Sequence, residues 1–200
     1  MKLLELFSGT KSVGKVAEQL GYEVVSLDLK DADINCKILD WDYTIYKPGD
    51  FDVIWASPPC TEYSVAKTIG VRKIEEANKI VIRTLDIIHD LLPKYWMIEH
   101  PQTGLLKKQL FMLGIPYTDI DYCKYGMPYR KRTRIWNNIT TWKPQPLCKK
   151  DCNSMMEDGR RHIATGQRGS RKSLYQYNPL SLLHTIPYPL VHEIFTSMEW

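Results

Sequence analysis

Apolar runs and amphipathic segments alternate over the first 140 residues of the chain. Between residues 72 and 92, apolar side chains recur at three- and four-residue spacing, which predicts a helix with one buried face. The order of strand and helix patterns predicts an α/β fold with a mostly parallel, doubly wound sheet. The predicted strands are 3–7, 23–27, 36–39, 51–56, 95–99, 117–123 and 133–138, and the predicted helices are 12–20, 72–92, 104–113 and 188–198.

The pattern of strands and helices is lost between residues 140 and 179, where Pro, Cys, Gly and basic residues interrupt it. A chain of 200 residues corresponds to about one domain with a sizeable core. We therefore predict a main domain over 1–139, a short, loop-rich basic insert with Cys and His over 140–179, and a closing helix within 180–200 that returns to the main domain.

Composition excludes several classes of protein. With 44% hydrophobic and 25% charged residues, the chain is typical of globular domains. The longest stretch without Lys, Arg, Asp or Glu, 173–192, contains three prolines, so we expect no membrane-spanning segment. Glu5 would interrupt a secretory signal, and five cysteines, an odd number, disfavour a disulfide framework. We expect an intracellular monomer, in the cytoplasm or nucleus, of host or viral origin.

The net charge of +4 is concentrated in one segment. Residues 124–172 contain thirteen Lys or Arg and three acidic residues, whereas both flanking parts of the chain are net acidic. A basic segment in an otherwise acidic chain favours a partner that carries phosphates, such as nucleic acid. A solvated surface is the alternative interpretation.

Residues that could bind a ligand or take part in catalysis lie at or just beyond the carboxyl ends of the predicted strands. This is the edge at which doubly wound sheets bind ligands. A turn of small residues after the first strand lets backbone amides approach a ligand. An acid after the second strand can accept hydrogen bonds from a ribose diol, which indicates a nucleoside-containing cofactor. The candidate cofactor-binding residues are Phe7, Ser8, Gly9, Thr10, Asp28, Asp40, Trp41 and Ser57.

Cys60 follows two consecutive prolines, Pro58 and Pro59, which fix the backbone and hold the thiol in place. A thiol held in this way suits a nucleophile, but its pKa near ~8.5 requires nearby positive charge or a helix N-terminus. Glu99 ends the adjacent strand, where a carboxyl group can bind N3 and the exocyclic amine of cytosine. A buried, inert cysteine is the alternative.

Taken in order, these motifs resemble those of the cytosine-C5 DNA methyltransferases. Residues 7–12 are similar to the family's S-adenosylmethionine loop, 58–60 to its nucleophile motif, 98–101 to its glutamate motif, 125–134 to its arginine motif and 186–194 to its last helix. The resemblance spans nearly the whole chain. It implies a Rossmann-like class I methyltransferase fold, S-adenosylmethionine as cofactor and DNA as partner.

The resemblance also implies a covalent mechanism. Cys60 would add to C6 of a flipped-out cytosine while Glu99 holds its N3 edge, C5 would accept the methyl group, and loss of the C5 proton would release the cysteine. Arg134 is the expected pocket arginine and Arg132 the second catalytic candidate, although Arg132 could contact phosphate instead. The candidate nucleic-acid ligands are Arg130, Lys131, Arg168 and Arg171.

The chain departs from the family pattern at several points. Lys11 stands where a second glycine is usual, His100 replaces an asparagine, and the arginine motif carries an extra residue, which leaves its register open. About forty residues separate that motif from the closing segment, which is too short for the usual target-recognition domain. We therefore expect short or relaxed sequence specificity.

Cys123, Cys148, Cys152 and His162 could form a complete structural zinc site of three sulfurs and one imidazole. Free surface cysteines and a loop histidine are the alternative. The fifth cysteine, Cys36, is interpreted as a strand residue without a role.

Two further functions remain open at this stage. One is a catalytically silent relative that binds nucleic acid through the basic segment, with Lys11 disrupting the cofactor loop. The other keeps the chemistry but methylates RNA or a free cytidine nucleotide, because a missing recognition domain removes the main reason to require duplex DNA.

Overall fold

A computed structural model of the chain describes residues 1–166 and 180–200. These residues form one seven-stranded sheet flanked by helices. The strands are β1 (Lys2–Leu6), β2 (Glu23–Asp28), β3 (Ile34–Asn35), β4 (Val53–Ala56), β5 (Tyr95–Pro101), β6 (Tyr117–Asp121) and β7 (Arg132–Asn137), and the α-helices are α1 (Ser12–Gln19), α2 (Ile74–Leu91), α3 (Leu180–His184) and α4 (Tyr188–Thr196).

The strand order across the sheet is β3-β2-β1-β4-β5-β7-β6. The first five strands pair in parallel, and β7 runs antiparallel to both β5 and β6. The predicted α/β fold with a mostly parallel sheet is therefore confirmed. The division of the chain into 1–139, 140–179 and 180–200 stays a prediction.

Both faces of the sheet are buried, which explains why its central strands are almost continuously apolar. Successive residues of β1 point to opposite faces, so Leu3 packs in a core with α1 and α4, whereas Leu4 packs in a second core with α2. The α2 helix has the predicted apolar face, with Val81 and Ile88 buried. Within the described ranges, no helix combines the length and apolar character that crossing a membrane requires.

Two element predictions are wrong. The third strand is not 36–39 but Ile34–Asn35, because the chain leaves the sheet after Asn35 and residues 36–39 line a cavity instead. The single helix predicted over 104–113 is two short 3-10 helices, Leu105–Lys108 and Leu110–Met112, because Gln109 between them has an extended backbone.

Candidate active site

A cavity of about 540 Å³ lies at the carboxyl edge of the central strands. Because β1, β2, β4 and β5 are parallel, the loops that follow them meet at this edge. The cavity therefore lies where the sequence placed its candidate residues. Those that line it are Phe7, Ser8, Gly9, Thr10, Asp28, Ser57, Cys60, Glu99 and Lys131.

The turn between β1 and α1 forms part of the cavity wall and has an unusual backbone. Phe7, Gly9 and Lys11 have φ angles of 61°, 48° and 54°, in the left-handed region that only glycine adopts without strain. The amide of Gly9 donates a hydrogen bond of 2.8 Å to Asp28 Oδ2, which ties the turn to the end of β2. The Asp28 carboxylate and the turn amides thus lie together at the wall.

Cys60 lines the same cavity, directly after Pro58 and Pro59, and is exposed. Partial burial raises the pKa of the Cys60 thiol, the charge of Glu99 raises it further, and the charge of Lys131 opposes both effects. The thiol is therefore largely protonated at neutral pH, and Lys131 is the neighbouring charge that favours the thiolate.

Glu99 is buried at the cavity wall and receives two contacts at one oxygen. The hydroxyl of Tyr122 donates a hydrogen bond of 2.9 Å to Oε1, and the Nζ of Lys131 lies 3.6 Å from the same oxygen. Burial and the nearby Glu99 raise the pKa of Tyr122 well above its ordinary value, so its hydroxyl remains a donor. The carboxyl group is thus held in place from the side of β6.

The pairing of β5 with β7 decides which basic side chain reaches Glu99. Glu99 lies opposite Ile135, and His100 lies opposite Arg134. Because side chains alternate along β7, Arg132 and Arg134 point to the face opposite Glu99. Lys131, the residue just before β7, lies on the side of Glu99, with its Nζ 3.6 Å from Glu99 Oε1.

The structure therefore places the two candidate catalytic arginines away from the cavity. Arg134 binds Asp119 on β6 with hydrogen bonds of 2.7 and 2.9 Å, and Arg132 binds Asp121 with hydrogen bonds of 3.2 and 3.1 Å. Lys131, predicted as a phosphate ligand, lies where the pocket arginine was expected. This correction follows from the strand register, which the extra residue in the motif had left open.

Comparison with known proteins identifies the family. No protein-family model matches the sequence. Over 191 residues the chain is 37% identical to a Frog virus 3 (isolate Goorha) protein named "Probable DNA (cytosine-5)-methyltransferase", with 86% of this chain and 88% of the relative covered. The chain belongs to the DNA (cytosine-5)-methyltransferase family. The predicted family is confirmed.

One solved structure agrees with the methyltransferase fold. A protein described as a "putative DNA modification methyltransferase encoded within prophage" (E. coli) superimposes with a TM-score of 0.54 at 13% identity, covering 74% of this chain and 52% of its own. The S. pombe Dnmt2 methyltransferase gives a TM-score of 0.46 at 15% identity, covering 68% and 49%. The match to the present chain covers about half the length of each of these two structures.

Two of the departures from the methyltransferase motifs, Lys11 and His100, have visible structural consequences. Lys11 adopts a left-handed backbone immediately before α1, which costs about 1 kcal/mol relative to glycine. His100 is fully buried against the ring of Tyr63, and burial lowers its pKa. The histidine is therefore neutral at pH 7, and it does not line the cavity.

Two candidate cofactor ligands of the methyltransferase lie outside the cavity wall. Trp41 is buried in the apolar core beside α2, and its carbonyl accepts a hydrogen bond from Arg83. Asp40 is exposed on the surface and does not line the cavity. Cys36, interpreted as a strand residue without a role, follows β3 and lines the cavity.

Glu5 is a cavity residue that the sequence interpretation missed. It lies in the middle of β1, nearly inaccessible to solvent, and accepts a hydrogen bond of 3.1 Å from the amide of Gly14. Burial raises the pKa of Glu5 to about 7. The signal in the sequence is an acidic residue between leucines in a predicted buried strand.

The basic segment of the methyltransferase is partly neutralised by acids on β6. The buried Asp121 accepts hydrogen bonds from Arg130, Arg132 and the amide of Cys148. Although burial opposes it, these contacts hold the pKa of Asp121 below its usual range. The other two candidate nucleic-acid ligands, Arg168 and Arg171, lie outside the described residues.

The four candidate metal ligands come together beside the segment that joins β6 to β7, and none of them lines the cavity. The ligand atoms of Cys123, Cys148, Cys152 and His162 all lie within 4.8 Å of one another. Zinc at this cluster stays a prediction.

Proposed function

We propose that this methyltransferase transfers a methyl group from S-adenosylmethionine to C5 of cytosine in DNA through a covalent bond to Cys60. One observation carries the proposal: Cys60 and Glu99 line the same cavity as the turn between β1 and α1. A nucleophile, a group that binds the pyrimidine edge and a nucleoside site thus share one enclosed space. A silent relative would not need this arrangement.

The cavity residues that follow β1 and β2, together with their neighbours, fit S-adenosylmethionine. The Oγ of Ser8 is buried and has no hydrogen-bond partner within the described part of the chain. Asp28 offers a carboxylate for a ribose, and Leu27 and Ile38 offer apolar wall for an adenine ring. When bound, this cofactor supplies a methyl group activated by a sulfonium.

The first step of the proposed reaction is nucleophilic attack by Cys60. Its thiolate forms a bond to C6, and the electron pair of the C5–C6 double bond moves towards C5. Glu99 gives a proton to N3, accepts a hydrogen bond from the exocyclic amine, and takes the proton back when the double bond reforms. After C5 has gained the methyl group, it loses its proton to a base such as water. The C5–C6 double bond reforms, and the bond from C6 to Cys60 breaks to regenerate the thiolate.

Lys131 serves two purposes in this proposal. Its charge lowers the pKa of the Cys60 thiol against the effect of burial. Its ammonium lies 3.6 Å from Glu99 and so limits the movement of that carboxyl group. Neither purpose requires an arginine.

DNA is the proposed partner, and a cytosine in a duplex must leave the base stack to reach Cys60, at a cost of a few kcal/mol. The segment between β7 and α4 is short, so we expect few base contacts and short or relaxed specificity. We also propose that the protein acts as an intracellular monomer.

Duplex DNA that contains 5-fluorocytosine tests the proposal. Fluorine cannot leave C5 as a proton does, so with S-adenosylmethionine present the adduct should persist as a complex that survives denaturing electrophoresis. Cys60→Ala is the matched control and should form none. No adduct with the wild type, or methyl transfer by Cys60→Ala, would contradict the proposal.

A substrate competition then separates the DNA enzyme from the RNA or nucleotide enzyme. Duplex DNA, RNA and cytidine triphosphate compete for a labelled methyl group at equal cytosine concentration. We expect most label in DNA. If RNA or cytidine triphosphate takes most of the label, DNA is not the preferred substrate, although the proposed methyl transfer to cytosine would still hold.

A further inference from the structure

Three cysteines and a histidine converge beside the β6–β7 hairpin, outside the catalytic cavity. The Cys148 Sγ and the His162 Nε2 are 3.5 Å apart, and all four ligand atoms lie within 4.8 Å of one another. Around a tetrahedral zinc ion, sulfur ligands at 2.3 Å are separated by roughly 3.8 Å. We propose that Cys123, Cys148, Cys152 and His162 bind one structural zinc ion, which fixes the segment that holds Glu99.

The donor set selects the metal. Thiolate and imidazole ligands favour zinc over magnesium or calcium, which prefer oxygen. Four protein ligands fill a tetrahedral shell and leave no position for a substrate, so the site is structural rather than catalytic. All three cysteines are free thiols, and a disulfide between any two would leave the third without a partner.

The backbone around the cluster supports thiolate ligands. Lys150, between Cys148 and Cys152, has a left-handed φ of 69° and turns the chain sharply. Its amide donates a hydrogen bond of 3.3 Å to Cys148 Sγ, a contact that stabilises a metal-bound thiolate. A β-bridge between Met155 and His162 returns the chain so that the histidine reaches the sulfurs.

The segment that supplies most of these ligands has little core of its own. Between residues 148 and 166, the described chain forms only that bridge and no longer strand or helix. Its buried apolar residues are Cys148 and Ala164. A segment with so few apolar contacts gains stability from a metal that replaces the missing core.

Three successive residues connect the cluster to the active site. Asp121 accepts a hydrogen bond from the amide of Cys148, the hydroxyl of Tyr122 donates to Glu99, and Cys123 is one of the metal ligands. A metal bound at Cys123 therefore restrains the backbone that positions Tyr122. The link to Glu99 matters for activity only if the proposed function holds, whereas the metal site does not depend on it.

Metal analysis of the full chain, expressed with zinc in the medium, tests the site. We expect about one zinc per chain in the wild type, almost none in Cys152→Ser, and retention in Cys152→His, because imidazole also binds zinc. Cys60→Ala is the matched control and should keep its zinc. Wild-type protein without zinc, or Cys152→Ser with the full content, would overturn the proposal.

Cobalt offers a measurement that needs no variant. Wild-type protein stripped of metal and titrated with Co²⁺ should show the intense visible bands of tetrahedral thiolate coordination and lose them when Zn²⁺ is added. The weak spectrum of octahedral Co²⁺ would overturn the assignment.

Hydrogen exchange of the full chain, with and without zinc, tests the restraint on Tyr122. Removing the metal should speed exchange in peptides that cover residues 121–125 more than in peptides from α2. Equal acceleration in both would overturn the positioning role. Neither readout measures methyl transfer, so a failure here is distinct from a failure of the proposed function.

Discussion

The two faces of the β6–β7 hairpin use charged residues in different ways. On one face, Arg134 and Asp119 form two short hydrogen bonds, so the guanidinium is committed to its partner. On the cavity face, the ammonium of Lys131 lies 3.6 Å from Glu99, beyond a short hydrogen bond. The first arrangement joins strands, whereas the second leaves a carboxyl group and a cation available to a ligand.

The largest effect is expected on the cavity face. Glu99→Gln should lower the rate of methyl transfer roughly 10²–10⁴-fold, because the amide cannot supply a proton to the ring. Asp119→Asn, on the opposite face, should leave the rate within a few-fold. Single-turnover transfer of a labelled methyl group checks both variants. Equal losses of rate in the two variants would contradict the prediction that only the cavity face acts in catalysis.

Asp121→Asn should instead affect stability. It removes the charge that pairs with Arg130 and Arg132, and we expect a loss of about 2–3 kcal/mol, moderated because both arginines are partly exposed. Asp158→Asn, at the exposed pair with Arg161, is the control and should leave stability almost unchanged, because solvent screens an exposed ion pair. Urea unfolding measures both, and similar losses would contradict the prediction.

Glu5 accepts its hydrogen bond from a backbone amide rather than from a cation. Its pKa of about 7 lies above the ordinary value of 4.5, so its contribution to stability is complete below about pH 4.5 and is lost as the pH rises through 7. Glu5→Gln should remove a pH dependence of the unfolding free energy of up to about 3 kcal/mol between pH 4.5 and 7. Unfolding free energies of the two proteins from pH 4.5 to 8 check this, and parallel curves would contradict it.

The smallest effect is expected at Lys131. Lys131→Met should lower the rate about tenfold at neutral pH, because the Cys60 thiol loses the charge that lowers its pKa. The rise of the rate with pH should therefore shift to higher pH, whereas Lys131→Arg should keep its position. A pH profile of single-turnover rates separates these outcomes, and unchanged profiles would exclude a role for the charge.

Much of the fold follows from the sequence because the central strands are buried on both faces. Their apolar runs were predicted within a residue or two, and residues at the carboxyl ends of β1, β4 and β5 meet in one cavity as expected. The break at Gln109 could not be predicted from local sequence. Helical propensity extends through it, but its backbone is extended and divides the predicted helix.

The sequence alone could not predict which basic residue faces the cavity, because that depends on how β7 pairs with β5. Lys131, Arg132 and Arg134 are nearly adjacent in the chain, and only the pairing of Glu99 with Ile135 determines which of them faces the cavity. Trp41 is a similar case. Its position near candidate cofactor ligands suggested binding, but the apolar core beside α2 accommodates its ring.

The pairing of β5 with β7 also makes the active site sensitive to changes in length. The pairs from Arg132 onwards do not involve Lys131, so we expect that deleting its codon would keep them and move Arg130 from Asp121 towards the place beside Glu99. A lineage can thus exchange an ammonium for a guanidinium at the base without any point substitution. Gene comparisons that align only substitutions would overlook this route.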